Sequence, residues 1–300
     1  MALHARPAHW RHDRGYFFKY TDIRGARAIL QSRKLKWSPA SAFNDPFDMQ
    51  FDLHLEFNED ALVEACRADF KKILLGEQKF DPGIGLGAVL SRLRAAASRI
   101  PSTVLDSFIE DGLRLTIQNI PKDITVMHKD LRAHFAKYKV LCLSSINDSI
   151  LMWSHYADHH RGVVLRLACL EETDSSWSVA RPVVYVDKMP RFVEEKELRD
   201  LITGKANLQN EIIVERTIFY KATAWQYENE WRIYLPSDNA EVQFNPFNPP
   251  ELTGIYFGCR SSEADREELV SVAKAINPAL SVFQARKAER EFALEFDKFI

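Results

Sequence analysis

Two glutamates and an arginine alternate in the stretch WQYENEWRIYL, residues 225–235. Read as a strand, it sends Tyr227, Trp231, Ile233 and Leu235 to one face and Glu228, Glu230 and Arg232 to the other. Carboxylates held beside a guanidinium can orient a sugar hydroxyl or face a developing cation. The same pattern would also serve as a salt-bridged, solvent-facing side of a sheet. Three other segments carry comparable chemistry. In FFKYTD (17–22), Lys19 and Tyr20 fall at a strand end just before a helix N-terminus, where cation, ring and backbone N–H groups can meet an anion. In FNDPFD (43–48), Asn44, Asp45 and Asp48 interleave with phenylalanines, which would pin a polar loop for binding, or make a self-contained Asx turn. In the run from Ser144 to Leu167, Ser144 ends an apolar strand and the next helix carries Met152, Trp153, His155, Tyr156 and His159. His155 and His159 have the spacing at which two imidazoles can share a metal. No glutamate follows in the H-E-x-x-H manner, so a solvated helix end is expected and no metal.

These residues need a scaffold that gathers distant segments. Short β-rich runs recur at 16–20, 139–145, 162–170, 181–187, 228–235, 252–258, 280–285 and 292–296, with turn residues between them. Thr21 or Asp22 can cap a helix with an Ile23, Ala26, Ile29, Leu30 stripe, and a second helix runs from Ser261 to about Ile276. Residues 59–137 differ: Leu62, Cys66, Phe70 and Ile73 keep helical spacing, and helical patterns return at 86–98, 102–118 and 122–137. GIGLG (83–87) follows no strand and reads as a linker rather than a dinucleotide fingerprint. The expected fold is α+β, a mixed and mainly antiparallel sheet with a helical insertion over 59–137. Residues 1–15 are expected to be a flexible arm and 16–300 a single domain.

Composition narrows the function classes. The chain has 300 residues, 46% hydrophobic and 27% charged, which suits a globular protein rather than a disordered one. A net charge of -2 gives no general attraction to nucleic acid or anionic membrane. Cys66, Cys142, Cys169 and Cys259 form neither a disulfide framework nor a zinc ribbon. No apolar run approaches the ~18 residues of a membrane span, and the basic N-terminus lacks an apolar core, so a cytoplasmic location is expected.

Taken in order, the motifs resemble one bacterial family, the domain-of-unknown-function family 2971. The matching residues are Tyr20, Phe43 to Asp48, Ser144, Met152 to Ala157, Gly162, Lys221, Trp225 to Arg232 and Gly258, over about residues 16–260 without the insertion. The family is similar, more remotely, to ADP-ribosyltransferase-like folds and to abortive-infection proteins. That resemblance implies an NAD-consuming ADP-ribosyltransferase or NAD glycohydrolase, acting in phage defence or a toxin-type stress response. It implies Glu230 or Glu228 as the catalytic carboxylate and Tyr20, Tyr156 or Trp153 as the ring stacked on nicotinamide. Asn44, Asp45 and Ser144 would supply polar contacts, and Lys19 or Arg232 would meet the pyrophosphate. The expected partners are a nucleotide-type small molecule and, for a transferase, a macromolecular acceptor. The superfamily's first strand carries a His or Arg, and here Lys19 or Tyr20 stands there. The alternative is a catalytically inactive nucleotide- or protein-binding module on the same scaffold.

Overall fold

The computed structural model describes residues 8–52, 54–207 and 210–298. Along the chain come β1 (Tyr16–Thr21), α1 (Ile23–Ser32), β2 (Lys34–Trp37), α2 (Glu59–Leu74), α3 (Gly87–Ala96), α4 (Ser102–Phe135) and β3 (Lys139–Ser144). Then follow α5 (Ile150–His155), β4 (Val163–Ala168), β5 (Arg181–Pro182), β6 (Val184–Val186), α6 (Glu195–Ile202), α7 (Asn210–Ile218) and β7 (Tyr220–Ala222). The chain closes with β8 (Glu230–Leu235), β9 (Gln243–Pro246), β10 (Leu252–Phe257), α8 (Glu263–Ile276), β11 (Ser281–Lys287) and β12 (Leu294–Lys298).

Contacts divide the chain into two compact units. The first comprises residues 1–49, 135–187 and 219–300 and holds an eight-stranded sheet in the order β12-β11-β10-β4-β1-β3-β8-β5. Every pairing in that sheet is antiparallel except β10 with β11, which α8 connects. Period-2 alternation splits β1 between two cores. Phe17 joins the larger one, where α1 contributes Ala26, Ile29 and Leu30 and α8 contributes Leu269 and Ala273. Phe18 and Tyr20 join the smaller one with Met152 and Trp153 of α5. Asp22 and Ser149 cap α1 and α5 by accepting from the N–H groups of Gly25 and Met152.

The sheet is not uniformly closed. β1 pairs with β4 over six residues but with β3 only at Phe18 opposite Ser144. Residues to one side of that pair on both strands line a cavity, described below. Residues 8–15, expected to be an arm, are held: His12 Nε2 lies 2.8 Å from the Trp177 carbonyl, and Arg14 donates to the Ser145 carbonyl at 2.9 Å. Residues 1–7 of that arm lie outside the described residues.

The second unit comprises residues 50–134 and 188–218. Its described elements are the helices α2, α3, α4, α6 and α7, so the stretch 188–218 gathers with the insertion read at 59–137. Leu62, Cys66, Phe70, Leu90, Ile109, Leu113 and Ile117 are buried in it. Where two helices were expected at 102–118 and 122–137, one 34-residue helix runs through Pro121. Its exposed ring has no N–H for the Ile117 carbonyl one turn back, and Thr125 Oγ1 donates to the Pro121 carbonyl at 2.9 Å.

Candidate functional site

Leu141, Leu143, Trp231 and Ile233 pack with the larger core, so alternation turns Cys142, Ser144, Glu230 and Arg232 to the opposite face. Register sets Ser144 across from Glu230 and Cys142 across from Arg232. Glu228 is not on the strand, contrary to the alternation read from sequence. It ends a 3₁₀ turn, Thr223–Glu228, and Asn229 at φ 44° leads the chain into β8. Ser144 Oγ fixes this corner by donating to the Glu228 carbonyl at 2.7 Å.

A buried ion cluster results. Arg232 donates through Nε and Nη2 to the two oxygens of Glu230, at 2.8 and 2.9 Å. Through Nη1 and Nη2 it reaches the two oxygens of Asp48, at 2.8 and 2.6 Å. Lys221 Nζ on β7 lies 2.5 Å from Glu228 Oε2, 3.0 Å from Glu230 Oε2 and 3.4 Å from Asp48 Oδ2. Tyr156 donates to Glu228 Oε1 at 2.5 Å and accepts from Asn44 Nδ2 at 3.2 Å. Arg232 is 0% exposed, which excludes a solvent-facing salt-bridged surface.

The cluster sets three carboxylates against two cations, so one negative charge is left over when all are ionised. The charges respond accordingly. Burial would raise Glu230, but Arg232 and Lys221 outweigh it and hold this carboxyl well below its usual range. Burial lowers Lys221, but Glu230, Asp48 and Glu228 outweigh it and the net shift is upward. Glu228 goes the other way: burial and then the nearby Glu230 raise it above an ordinary glutamate. Glu228 is the carboxyl of the cluster that Arg232 does not reach. Glu230 has both oxygens accepting from Arg232 and one from Lys221.

The cluster opens on a cavity of about 250 Å³. Tyr20, Asn44, Ser144, Tyr156 and Glu230 all line it, although they span two hundred positions, together with Glu228 and Lys221. Lys19 and Lys36 put two amines on its wall; Lys19 Nζ donates to the Cys142 carbonyl at 2.9 Å, and burial lowers its pKa. A wider, shallower groove adjoins, lined by Thr21, Asp22, His155 and Trp225 and sharing Tyr20, Asn44 and Tyr156 with the cavity.

Three expected ligand contacts are placed elsewhere. Trp153 is fully buried, and its indole N–H donates to the Asn147 carbonyl at 2.7 Å, so it supports the site from behind. Asp45 closes its own turn by accepting from the Phe47 N–H at 2.9 Å. Arg232 has no donor face turned to the cavity, because both are spent on carboxylates. The Tyr20 hydroxyl and the Ser144 hydroxyl also donate inward, to the Ile146 and Glu228 carbonyls. The sequence read Asp48 only as part of a polar loop and Lys221 only as part of a family motif, and it gave no role to Tyr185, whose hydroxyl accepts from the Glu230 N–H at 2.9 Å. Lys221 and Asp48 stood at the ends of the motifs already read. The histidines are locally paired: His155 Nδ1 with Tyr227 at 2.9 Å and His160 Nε2 with Ser154 at 3.1 Å.

Residues 152–233 match the model of a family described as protein of unknown function (DUF2971). The matched stretch contains Tyr156, Lys221, Glu228, Glu230 and Arg232. It is narrower than the span over which the motifs were read. No curated protein and no solved structure matches the chain.

Proposed function

We propose that this cavity cleaves the nicotinamide–ribose bond of NAD, as an ADP-ribosyltransferase or NAD glycohydrolase on an ADP-ribosyltransferase-like scaffold, with Glu228 as the carboxylate beside the reacting carbon. The observation that carries this reading is the placement of Glu228, the third carboxyl of a cluster with two cations, on the cavity wall with Tyr156 and Lys221 fixing its two oxygens. In the reaction the C–N bond breaks, nicotinamide leaves with the electron pair, and positive charge develops on the ribose before water or a macromolecular nucleophile attacks. A carboxylate facing the ribose carbon meets this charge only as it develops, and so stabilises the transition state more than the ground state. Lys221 and Tyr156 hold its two oxygens in place and Glu230, paired with Arg232, supports the negative field.

The space fits this division of labour. A cavity of about 250 Å³ falls just under the ~300–1,000 Å³ of ligand pockets and suits the nicotinamide-ribose end alone. Tyr20 and Tyr156 offer rings there, Asn44 an amide, and Lys19 and Lys36 offer amines for phosphate. The adjoining groove past Trp225 would take the remainder. Loss of NAD or modification of a host target would suit phage defence or a toxin-type response.

A second reading, a binding module without turnover, is favoured by how fully Asp48, Arg232, Glu230 and Lys221 satisfy one another. Both readings are tested by titrating the protein with 1-methylnicotinamide, a cation, and with neutral nicotinamide. The expected result is tighter binding of the cation, with the preference lost in Glu228→Gln. Equal binding of the two, or binding of neither, would remove the charge argument.

A further inference from the structure

Helix α4 carries a second apolar line besides the one it buries. Ile109, Leu113 and Ile117 face its own unit's interior. Val104, Phe108, Leu115 and Val126 are 57%, 57%, 64% and 66% exposed. Their offsets from Val104, of four, eleven and twenty-two residues, are close to whole turns of about 3.6 residues, so all four fall along one side of the helix. Asp111, Gln118, Lys122, Lys129 and Ala133 fall on the same side, and all are exposed. From Val104 to Lys122 the steps alternate between four and three residues, the spacing of a helix–helix seam.

This seam matches itself when reversed. A second copy laid antiparallel about Ile120 sets Asp111 opposite Lys129, Leu115 opposite Thr125 and Val126, Phe108 opposite Arg132 and Ala133, and Gln118 opposite Lys122. Acid meets base and apolar meets apolar, twice each by symmetry. A parallel pairing would instead set Asp111, Lys122 and Lys129 each against its own copy, with like charges in contact. Pro121 lies about a third of a turn off the seam and keeps its ring out of the contact.

We propose that α4 pairs antiparallel with α4 of a second copy, joining two chains into a homodimer through Phe108, Leu115 and Val126, with Asp111 and Lys129 setting the register. The test is the molar mass of the full chain by light scattering across a concentration series. Four proteins are compared: wild type, Asp111→Lys, Lys129→Asp and the double variant carrying both changes, each checked for unchanged helix content. Wild type should be dimeric. Each single variant should weaken association by at least about tenfold, because two like-charge contacts replace two opposite ones. The double variant should regain most of the loss, since reversing both charges restores the pairs. A wild type that stays monomeric throughout, single variants as dimeric as wild type, or a double variant no better than the singles would each overturn the proposal.

Discussion

At the scale of single residues, the glutamates have separate work. Both were legible as candidates from their alternation, but the sequence could not tell them apart, because the difference comes from the turn at Asn229, which leaves Glu230 in the grip of Arg232 and Glu228 outside it. Arg232 is central to stability rather than to ligand contact. Replacing it, as Arg232→Met, leaves Asp48 and Glu230 buried around a lost cation, and about 3–5 kcal/mol of stability should disappear in urea unfolding. A loss under about 1 kcal/mol would mean the cluster is well solvated. The pH dependence separates the glutamates by sign. Glu230, lowered in the folded state, contributes stability above the ordinary glutamate pKa and loses it as pH falls. Glu228, raised in the folded state, keeps its proton where the unfolded chain has lost it, so its contribution worsens as pH rises through the ordinary value. Glu228→Gln removes that slope. The melting temperature of the variant relative to wild type should therefore climb as pH rises above the ordinary glutamate value of about 4.3. A constant difference would show that Glu228 titrates like an exposed glutamate.

At the scale of elements, the strands and capped helices were readable because alternation and caps are local signals. Two features were not. Glu228 sits in a 3₁₀ turn because Asn229 adopts a left-handed backbone, which alternation alone does not register. Pro121 reads as a break, yet its helix continues since the ring faces solvent and packing elsewhere holds the segment. The turn after α5 is a third case. Asp158, His159 and His160 take φ of 44°, 53° and 68°, a left-handed run rare for residues with side chains. Its seat requires Gly162 and Gly258, where an added Cβ would fall 2.3 Å from the Thr21 carbonyl oxygen and 2.1 Å from the His160 carbonyl oxygen. Gly162→Ala should cost about 1–3 kcal/mol, since both crowding atoms are backbone. Denaturation at the wild-type midpoint would contradict that close approach.

At the scale of the whole molecule, the convergence of Tyr20, Asn44, Ser144, Tyr156 and Glu230 on one cavity was readable from their places at strand ends and ordered loops, while the charge balance was not. The balance depends on which cations reach the cavity wall, and Lys221 comes to it from β7, which belongs to a separate two-stranded sheet. The division into units was only half readable, because the residues 188–218 are joined to the insertion by contacts rather than by sequence neighbourhood. Among the described residues, no helix is long and apolar enough to cross a membrane. The most direct measurement is nicotinamide release from NAD by the full chain, followed chromatographically for wild type, Glu228→Gln and Glu230→Gln. The expected result is release by wild type and a fall of about 10²–10³ in rate for Glu228→Gln, whose amide keeps the shape and loses the charge. Release from Glu228→Gln at the wild-type rate, or none from wild type with cell extract supplied as a source of acceptors, would contradict the assignment of this cavity to NAD cleavage.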